Sequence, residues 1–382
     1  MTTIPSNLYV PGLSGERFHV QYQITGTDEE VRTKANNITV EQTVEFPIHL
    51  IPESNILTNL VGQIEFFDKI EEERYTVTIS YAIETAGTDF PQLLNIIQGL
   101  SSLIPGIRVE KMTFPESLLN LYKGPRFGPD GWRKALGVTD RPLLCTAIKP
   151  MGLSVNQLAD MAYKCALGGL DIMKDDHGIT NLSFSPFEER VPRIAEAVAE
   201  ANRETGLNCI YAANITGPAQ HIVERAIFAK NAGATALLIS PALTGFDAMR
   251  AVADDDRVNL PIMSHPTVTG NFVHNPDGGF SYYAYYGQLH RLAGADSPVF
   301  VNYGGRFPAT PDDCQGVIDG CNVPMAHIKP MMPCAGGGMK FERVPELLDM
   351  YGKNAIFLVG GGLHSAGDDL VENVRQFLRL VQ

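Results

Sequence analysis

The chain has 382 residues, 44% hydrophobic and 19% charged, with a formal net charge of −13. That length exceeds one ordinary domain, and the composition is that of a folded chain rather than a disordered one, so two globular domains are expected. The acidic balance and the lack of any Lys/Arg cluster argue against a nucleic-acid binder, and they mean that a site for a phosphorylated ligand must be built locally.

The opening MTTIPSNLYV has no basic region and no apolar run, and no stretch of about eighteen apolar residues follows anywhere, so neither a signal peptide nor a membrane span is expected. RFHVQYQIT, from Arg17, and RYTVTISYAI, from Arg74, alternate apolar and polar residues and are rich in β-branched side chains, which predicts strands. DFPQLLNIIQGLSSL has helical spacing behind Asp89, a good N-cap, and GIRVEKMTFP reads as another strand. A small α+β domain over residues 1–120 fits these pieces. LYKGPRFGPDGWRKALGVTDRP is rich in Gly and Pro and reads as a connection covering one end of a second domain, 121–382.

From Leu143 the rhythm changes. Eight short apolar runs recur: LLCTAIKP, LDIMKDDH, NCIYAANITG, ALLISPAL, LPIMSHP, PVFVNYGG, MPCAGGG and AIFLVGGG. Each ends in polar or glycine residues, and the intervening segments carry helical spacing. Eight such units predict a (β/α)8 barrel; a doubly wound open sheet is the alternative, without a G-x-G-x-x-G after its first strand. The six cysteines, Cys145, Cys165, Cys209, Cys314, Cys321 and Cys334, form no C-x-x-C pair, and Cys145 and Cys209 lie in apolar runs. They read as thiols of a reducing, cytoplasmic compartment rather than as a disulfide framework.

Barrel chemistry sits at the C-terminal strand ends. Those positions hold Lys149, the cluster Lys174, Asp175, Asp176 and His177, then Asn214, His265, Asn302 with Tyr303, and two glycine runs. Lys149 is either a surface lysine or a base whose pKa is lowered by crowding. The Lys174–His177 cluster is either a solvated turn or a cation site, with Asp176 and His177 as competent ligands. Lys174 would become an oxygen donor only if carbamylated by carbon dioxide. His265 is either structural or a catalytic acid/base. Gly336–Gly338 and Gly360–Gly362 are either tight turns or a phosphate cradle of backbone N–H groups, which would hold an anion without lysines.

TAIKPMGLS, GGLDIMKDDH, YAANITG, CAGGGMKFERVPELL and FLVGGG together resemble the large chain of ribulose-bisphosphate carboxylase, in order and spacing from about residue 20 onward. The resemblance implies a ferredoxin-like N-terminal domain, a (β/α)8 barrel, and a homodimer whose site lies between one barrel and the partner's N-terminal domain. Carried over by position, it makes Lys149 the lysine of enolisation, Lys174 the carbamylated metal ligand and Asp176 the aspartate ligand of Mg2+. Asn214 and His265 match residues of the mouth, and Gly337, Gly338, Gly360 and Gly361 match one phosphate site. NNITVEQTVEF, with Glu41, falls in the N-terminal contribution to the site.

The departures from that family carry information of their own. His177 stands where the family has a third, glutamate ligand, leaving one more positive charge on the site. Met151 replaces the second lysine of Lys-Pro-Lys, Pro266 replaces an arginine, and a histidine is replaced near Thr269. NYGGRFPATP lacks the lysine that closes over substrate, and Gly336 replaces a serine. These losses fall on carbon dioxide handling and on the second phosphate. The resemblance is therefore to the non-carboxylating, RuBisCO-like branch, acting on a small phosphorylated substrate. Two reactions are expected from an enediolate there. The favoured one is decarboxylation of a β-oxo sugar acid such as 3-oxo-isoapionate 4-phosphate, with Tyr303 and Arg306 holding the substrate carboxylate; Tyr303 could equally be a packing residue. The alternative is an enolase or keto-isomerase acting on a thiosugar phosphate of methionine salvage. A barrel that binds sugar phosphate without catalysis is the non-enzymatic alternative.

Overall fold

The structure is a computed structural model that describes residues 9–382. Thirteen strands run through them: β1 (Arg17–Thr25), β2 (Gln63–Glu71), β3 (Arg74–Ala82), β4 (Ile107–Thr113), β5 (Leu143–Ile148), β6 (Ile172–Asp175), β7 (Ile210–Asn214), β8 (Ala236–Ile239), β9 (Ile262–Ser264), β10 (Gly278–Phe280), β11 (Ser297–Val301), β12 (Cys334–Gly336) and β13 (Ile356–Leu358). They belong to two compact units. The division is not a single cut after residue 120. The first unit runs up to Tyr122 and takes in Gly270–Gln288 and Met325–His327; the second holds the rest. The reason is that β10 pairs in parallel with β4, which makes 270–288 part of the first sheet.

That sheet has the order β10-β4-β1-β3-β2. With the helices Asp28–Glu41 and Phe90–Gln98, its first four strands give the β-α-β-β-α-β plan of a ferredoxin-like domain. β1 and β3 pair antiparallel from Arg17↔Ala82 to Thr25↔Arg74, and Phe18, Val20, Tyr22 and Ile24 alternate inward along β1. The side chain of Asp89 accepts the N–H of Gln92, so the cap read from the sequence is in place.

Two elements of this unit escape the apolar pattern. β2 is an edge strand whose side chains are nearly all exposed, so it carries no burial alternation. The helix Asp28–Glu41 is polar, but Thr27 and Glu30 form a capping box, and Val31, Ala35, Ile38 and Thr39 form its buried face. The first part of NNITVEQTVEF, up to Glu41, is therefore helical. Glu41 is the last residue of this helix, and it is exposed.

The second unit is a closed barrel of eight parallel strands, β11-β12-β13-β5-β6-β7-β8-β9. All eight apolar runs form its staves, in chain order. Inside it, Leu143, Cys145, Ile172, Ile210, Ala236, Leu238, Met263, Val299, Cys334 and Ile356 pack as one core. The Gly/Pro-rich segment contributes the helix Gly128–Leu136, whose Trp132 and Leu136 join that core. Several members of that core open their strands, among them Leu143, Ile172, Ile210 and Ala236, which sets the helix toward the N-terminal end of the barrel, away from the mouth. All six cysteines are buried free thiols. Among the described residues, no helix is long and apolar enough to cross a membrane.

Candidate active site

Side chains two apart along a strand share a face. Cys145, Ile172, Ala212 and Met263 point into the core. Continuing the same phase toward the C-terminal ends brings Lys149, Lys174 with Asp176, Asn214 and His265 to the mouth. The alternation that fills the barrel thus also sets its polar rim.

Lys174 is the deepest of these, 1% exposed. Its Nζ donates to the Asp175 carbonyl at 3.1 Å. Burial holds its pKa below the ordinary lysine value, against the opposing influence of Cys145 and Asp176. Asp176 lies above it. Burial alone would raise the Asp176 carboxyl, but the His177 hydrogen bond and the charges of Lys174 and Lys149 hold it well below the usual carboxylate range. Lys149 Nζ is 3.8 Å from Asp176 Oδ1, and its side chain remains open to solvent. His177 Nδ1 is 3.3 Å from the same oxygen. The His177 ring stacks on His265 with centroids 4.6 Å apart and planes 13° apart. His265 is fixed in turn by Thr267, whose hydroxyl is 2.8 Å from Nδ1. Burial, with Lys174 and His177 nearby, holds the His265 imidazole well below its ordinary pKa.

Asp175 has the opposite phase and a different task. It is fully buried against the equally buried Arg190, 3.3 Å away. It also accepts from the Tyr211 hydroxyl at 3.0 Å and the Asn214 N–H at 2.9 Å. Asn214 is committed to backbone. Its Nδ2 donates to the carbonyls of Asp176, His177 and Ile179 at 3.1–3.2 Å, and its Oδ1 accepts from the Thr216 N–H. Asn214 therefore positions the loop carrying Asp176 and His177, and both hydrogens of its amide are committed to that loop.

The opposite arc is made of backbone. Gly337 and Gly338 have φ of +84° and +67°, and the space where a Gly337 side chain would stand is open, as it is at Gly361. Gly360 brings the arcs together: a Cβ there would lie 3.6 Å from Lys149 Nζ. Tyr303 does not present a free hydroxyl, because its OH donates to Glu346 Oε1 at 2.5 Å. Arg306 is exposed, with its guanidinium 4.8 Å from the centre of the Phe307 ring. The structure adds His364, which the sequence reading passed over. Its Nε2 is buried without a partner, and burial and the Lys149 charge both hold its pKa below the ordinary value. The available signal was its place just behind Gly360–Gly362.

The family model for the ribulose bisphosphate carboxylase large chain, catalytic domain, matches residues 130–303. The chain is 34% identical over 362 residues to ribulose bisphosphate carboxylase-like protein 1 of Rhodopseudomonas palustris, covering 95% of this chain and 96% of that one. It belongs to the RuBisCO-like proteins. A second relative of this kind, the 5-methylthioribulose-1-phosphate isomerase of Rhodospirillum rubrum, is 34% identical over 367 residues and 96% of each chain. The crystal structure of a RuBisCO-like protein from Rhodopseudomonas palustris superposes with a TM-score of 0.87 at 33% identity, covering 96% of this chain and 97% of that one.

Within the RuBisCO-like mouth, the substituted positions are visible. Met151 is 54% exposed, and its methyl would meet a Cβ on Gly178, beside His177. A thioether there offers neither charge nor a strong hydrogen bond. Asp176 Oδ1 and His177 Nδ1 have the separation of roughly 3 Å expected of two donors on one small cation. Among the described residues, no three His, Cys, Asp or Glu side chains converge as a ligand group. A cation here would need a third protein donor of another kind.

Proposed function

We propose that this RuBisCO-like protein is a non-carboxylating enolase or keto-isomerase. It removes a proton beside the carbonyl of a phosphorylated keto-sugar and returns one at a neighbouring position. The observation that carries this is the placement of Lys149, solvent-accessible and 3.8 Å from the half-buried Asp176, at the open edge of a charged cluster whose base is the buried Lys174. In its neutral form the Lys149 amine takes the C–H proton, the electron pair moves onto the carbonyl carbon–oxygen system, and the resulting ammonium hands the proton back. His265, held neutral, offers a hydrogen bond beside the developing oxyanion without adding a charge. The N–H groups of Gly337, Gly338, Gly360 and Gly361 receive the phosphate.

The donors fit Mg2+ if Lys174 completes them. Its lowered pKa favours the free amine, which attacks carbon dioxide to give a carbamate and a released proton. Lys174 as its carbamate, Asp176 and His177 would hold a divalent cation, which would supply positive charge to an enediolate. The homology to a 5-methylthioribulose-1-phosphate isomerase supports a thiosugar phosphate as the substrate class. Decarboxylation of a β-oxo acid such as 3-oxo-isoapionate 4-phosphate has less support. It needs a carboxylate holder, and the Tyr303 hydroxyl is already engaged by Glu346. A homodimer is part of the proposal, and sedimentation equilibrium tests it.

The deciding experiment is proton and carbon NMR in D2O with Mg2+ and bicarbonate, over phosphorylated ketoses, 2,3-diketo thiosugar phosphates and phosphorylated β-oxo sugar acids. Deuterium uptake without carbon loss is expected. Carbon dioxide release from a β-oxo acid would replace the proposal with the lyase. Silence across the panel, together with no divalent-ion binding with or without bicarbonate, would favour a non-catalytic sugar-phosphate binder.

A further inference from the structure

The loop after β11 is tied to the glycine turn after β12 by one side chain. Arg343 Nη1 donates to the carbonyl of Tyr303 at 2.9 Å and to that of Gly338 at 3.3 Å. Its Nε and Nη2 donate to the two oxygens of Glu346 at 3.1 and 3.0 Å. Glu346 also accepts the Tyr303 hydroxyl, and the guanidinium lies 4.8 Å from the centre of the Tyr303 ring. Arg343, Glu346 and Tyr303 therefore close a ring of contacts across the two loops.

The loops themselves meet backbone to backbone. A Cβ on Gly338 would stand 2.7 Å from Gly305 Cα, and one on Gly305 would stand 3.1 Å from Gly338 N. A Cβ on Gly304 would come within 2.9 Å of Arg343 Nη1. Side chains at Gly305 or Gly338 would push the loops apart, and one at Gly304 would crowd the Arg343 guanidinium. The contact needs both the glycines and the arginine.

We infer that Arg343 is a positioning residue for the anion turn, holding Gly337 and Gly338 in a receptive conformation by anchoring that turn to the loop after β11. This rests on the reading of those glycines as a phosphate cradle. Glu346 satisfies the Arg343 charge, so Arg343 serves as a strut and is not itself the anion's counter-charge. Backbone donors bind an anion well only when their geometry is fixed before it arrives, since ordering a loop on binding costs affinity. Tyr303 belongs to the same latch and is not a substrate ligand.

The test uses the full chain, inorganic phosphate as the probe, and trypsin. Arg306 is exposed within the latched loop, so cleavage after it reports loop opening. Arg343→Ala should weaken phosphate binding, measured calorimetrically, by about tenfold or more, and speed cleavage after Arg306 by a similar factor, as expected for loss of charge-assisted hydrogen bonds. Arg343→Lys should not restore either property, because an ammonium lacks the planar fork. Should Arg343→Ala fail to fold, Glu346→Gln at the exposed end of the latch should show both effects to a smaller degree. Faster cleavage with unchanged phosphate affinity would overturn the inference, as would unchanged cleavage. Wild-type protein that binds no phosphate while its loop stays protected would instead remove the phosphate reading, and the inference with it.

Discussion

From β5 to β9 the mouth is lined by side chains: Lys149, Lys174, Asp176, His177 and His265. From β11 to β13 it is lined by main chain, at Gly337, Gly338, Gly360 and Gly361. The first arc derives its geometry from strand alternation and from buried anchors behind it, Asp175–Arg190 and Asn214. The second derives its geometry from two loops in contact, fastened by Arg343. In the proposed function, the first arc would supply the charges that move protons or hold a cation, and the second would supply fixed dipoles. A chain with a net charge of −13 can bind an anion in this way without spending cations on it.

The sharpest way to break this division is at Lys149. Lys149→Ala should lower substrate deuterium exchange by roughly 100- to 10,000-fold, the range of a lost general base, while leaving phosphate binding intact. A parallel loss of phosphate affinity would mean that the arcs are not separate. Next in size, Asp176→Asn should weaken Mn2+ binding, read by electron paramagnetic resonance, by at least about tenfold. In the same series, a carbamate resonance from 13C-bicarbonate should appear in the wild type and be absent from Lys174→Ala.

Behind the first arc, Arg190→Met leaves Asp175 buried without its partner. The expected cost is about 3–5 kcal/mol in denaturant unfolding. Acid probes the same arc near β9. Burial pushes His290, whose Nδ1 lies 2.6 Å from the Ser264 hydroxyl, down to about 3, and holds His265 well below its ordinary value. Both stay neutral in the folded chain while the unfolded chain takes up protons near pH 6.5. Their contribution is thus complete above pH 6.5 and is lost as pH falls below it, by about 1.4 kcal/mol per unit for each histidine. His290→Gln should remove one proton from that slope in urea titrations at pH 7 and 5. The smallest effect belongs to Arg306. Exposed and stacked on Phe307, Arg306→Ala should change KM for a keto-sugar phosphate by less than about twofold. A large rise in KM confined to carboxylated substrates would revive the β-oxo acid reading.

The barrel was legible because each stave is a short apolar run with a polar end, a pattern that survives without knowing any neighbour. β2 was not legible, because an edge strand exposed along its length has no inner face to write into the sequence. The helix ending at Glu41 was hidden by its polar composition, although Thr27 and Glu30 marked its start.

Lys174, Asp175 and Asp176 show where the division between sequence and tertiary structure falls. Alternation alone sends Lys174 and Asp176 to one face and Asp175 to the other, so the sequence determined which residues could share the mouth. Only the tertiary structure decided that Asp175 would meet Arg190 from the following helix and Tyr211 from the next strand. Likewise, the sequence placed Tyr303 at a strand end, but its hydroxyl is taken by Glu346, a residue 43 positions later. Periodicity fixes the direction of a side chain locally; its partner arrives from distant chain, and that partner determines whether the group is left free to react.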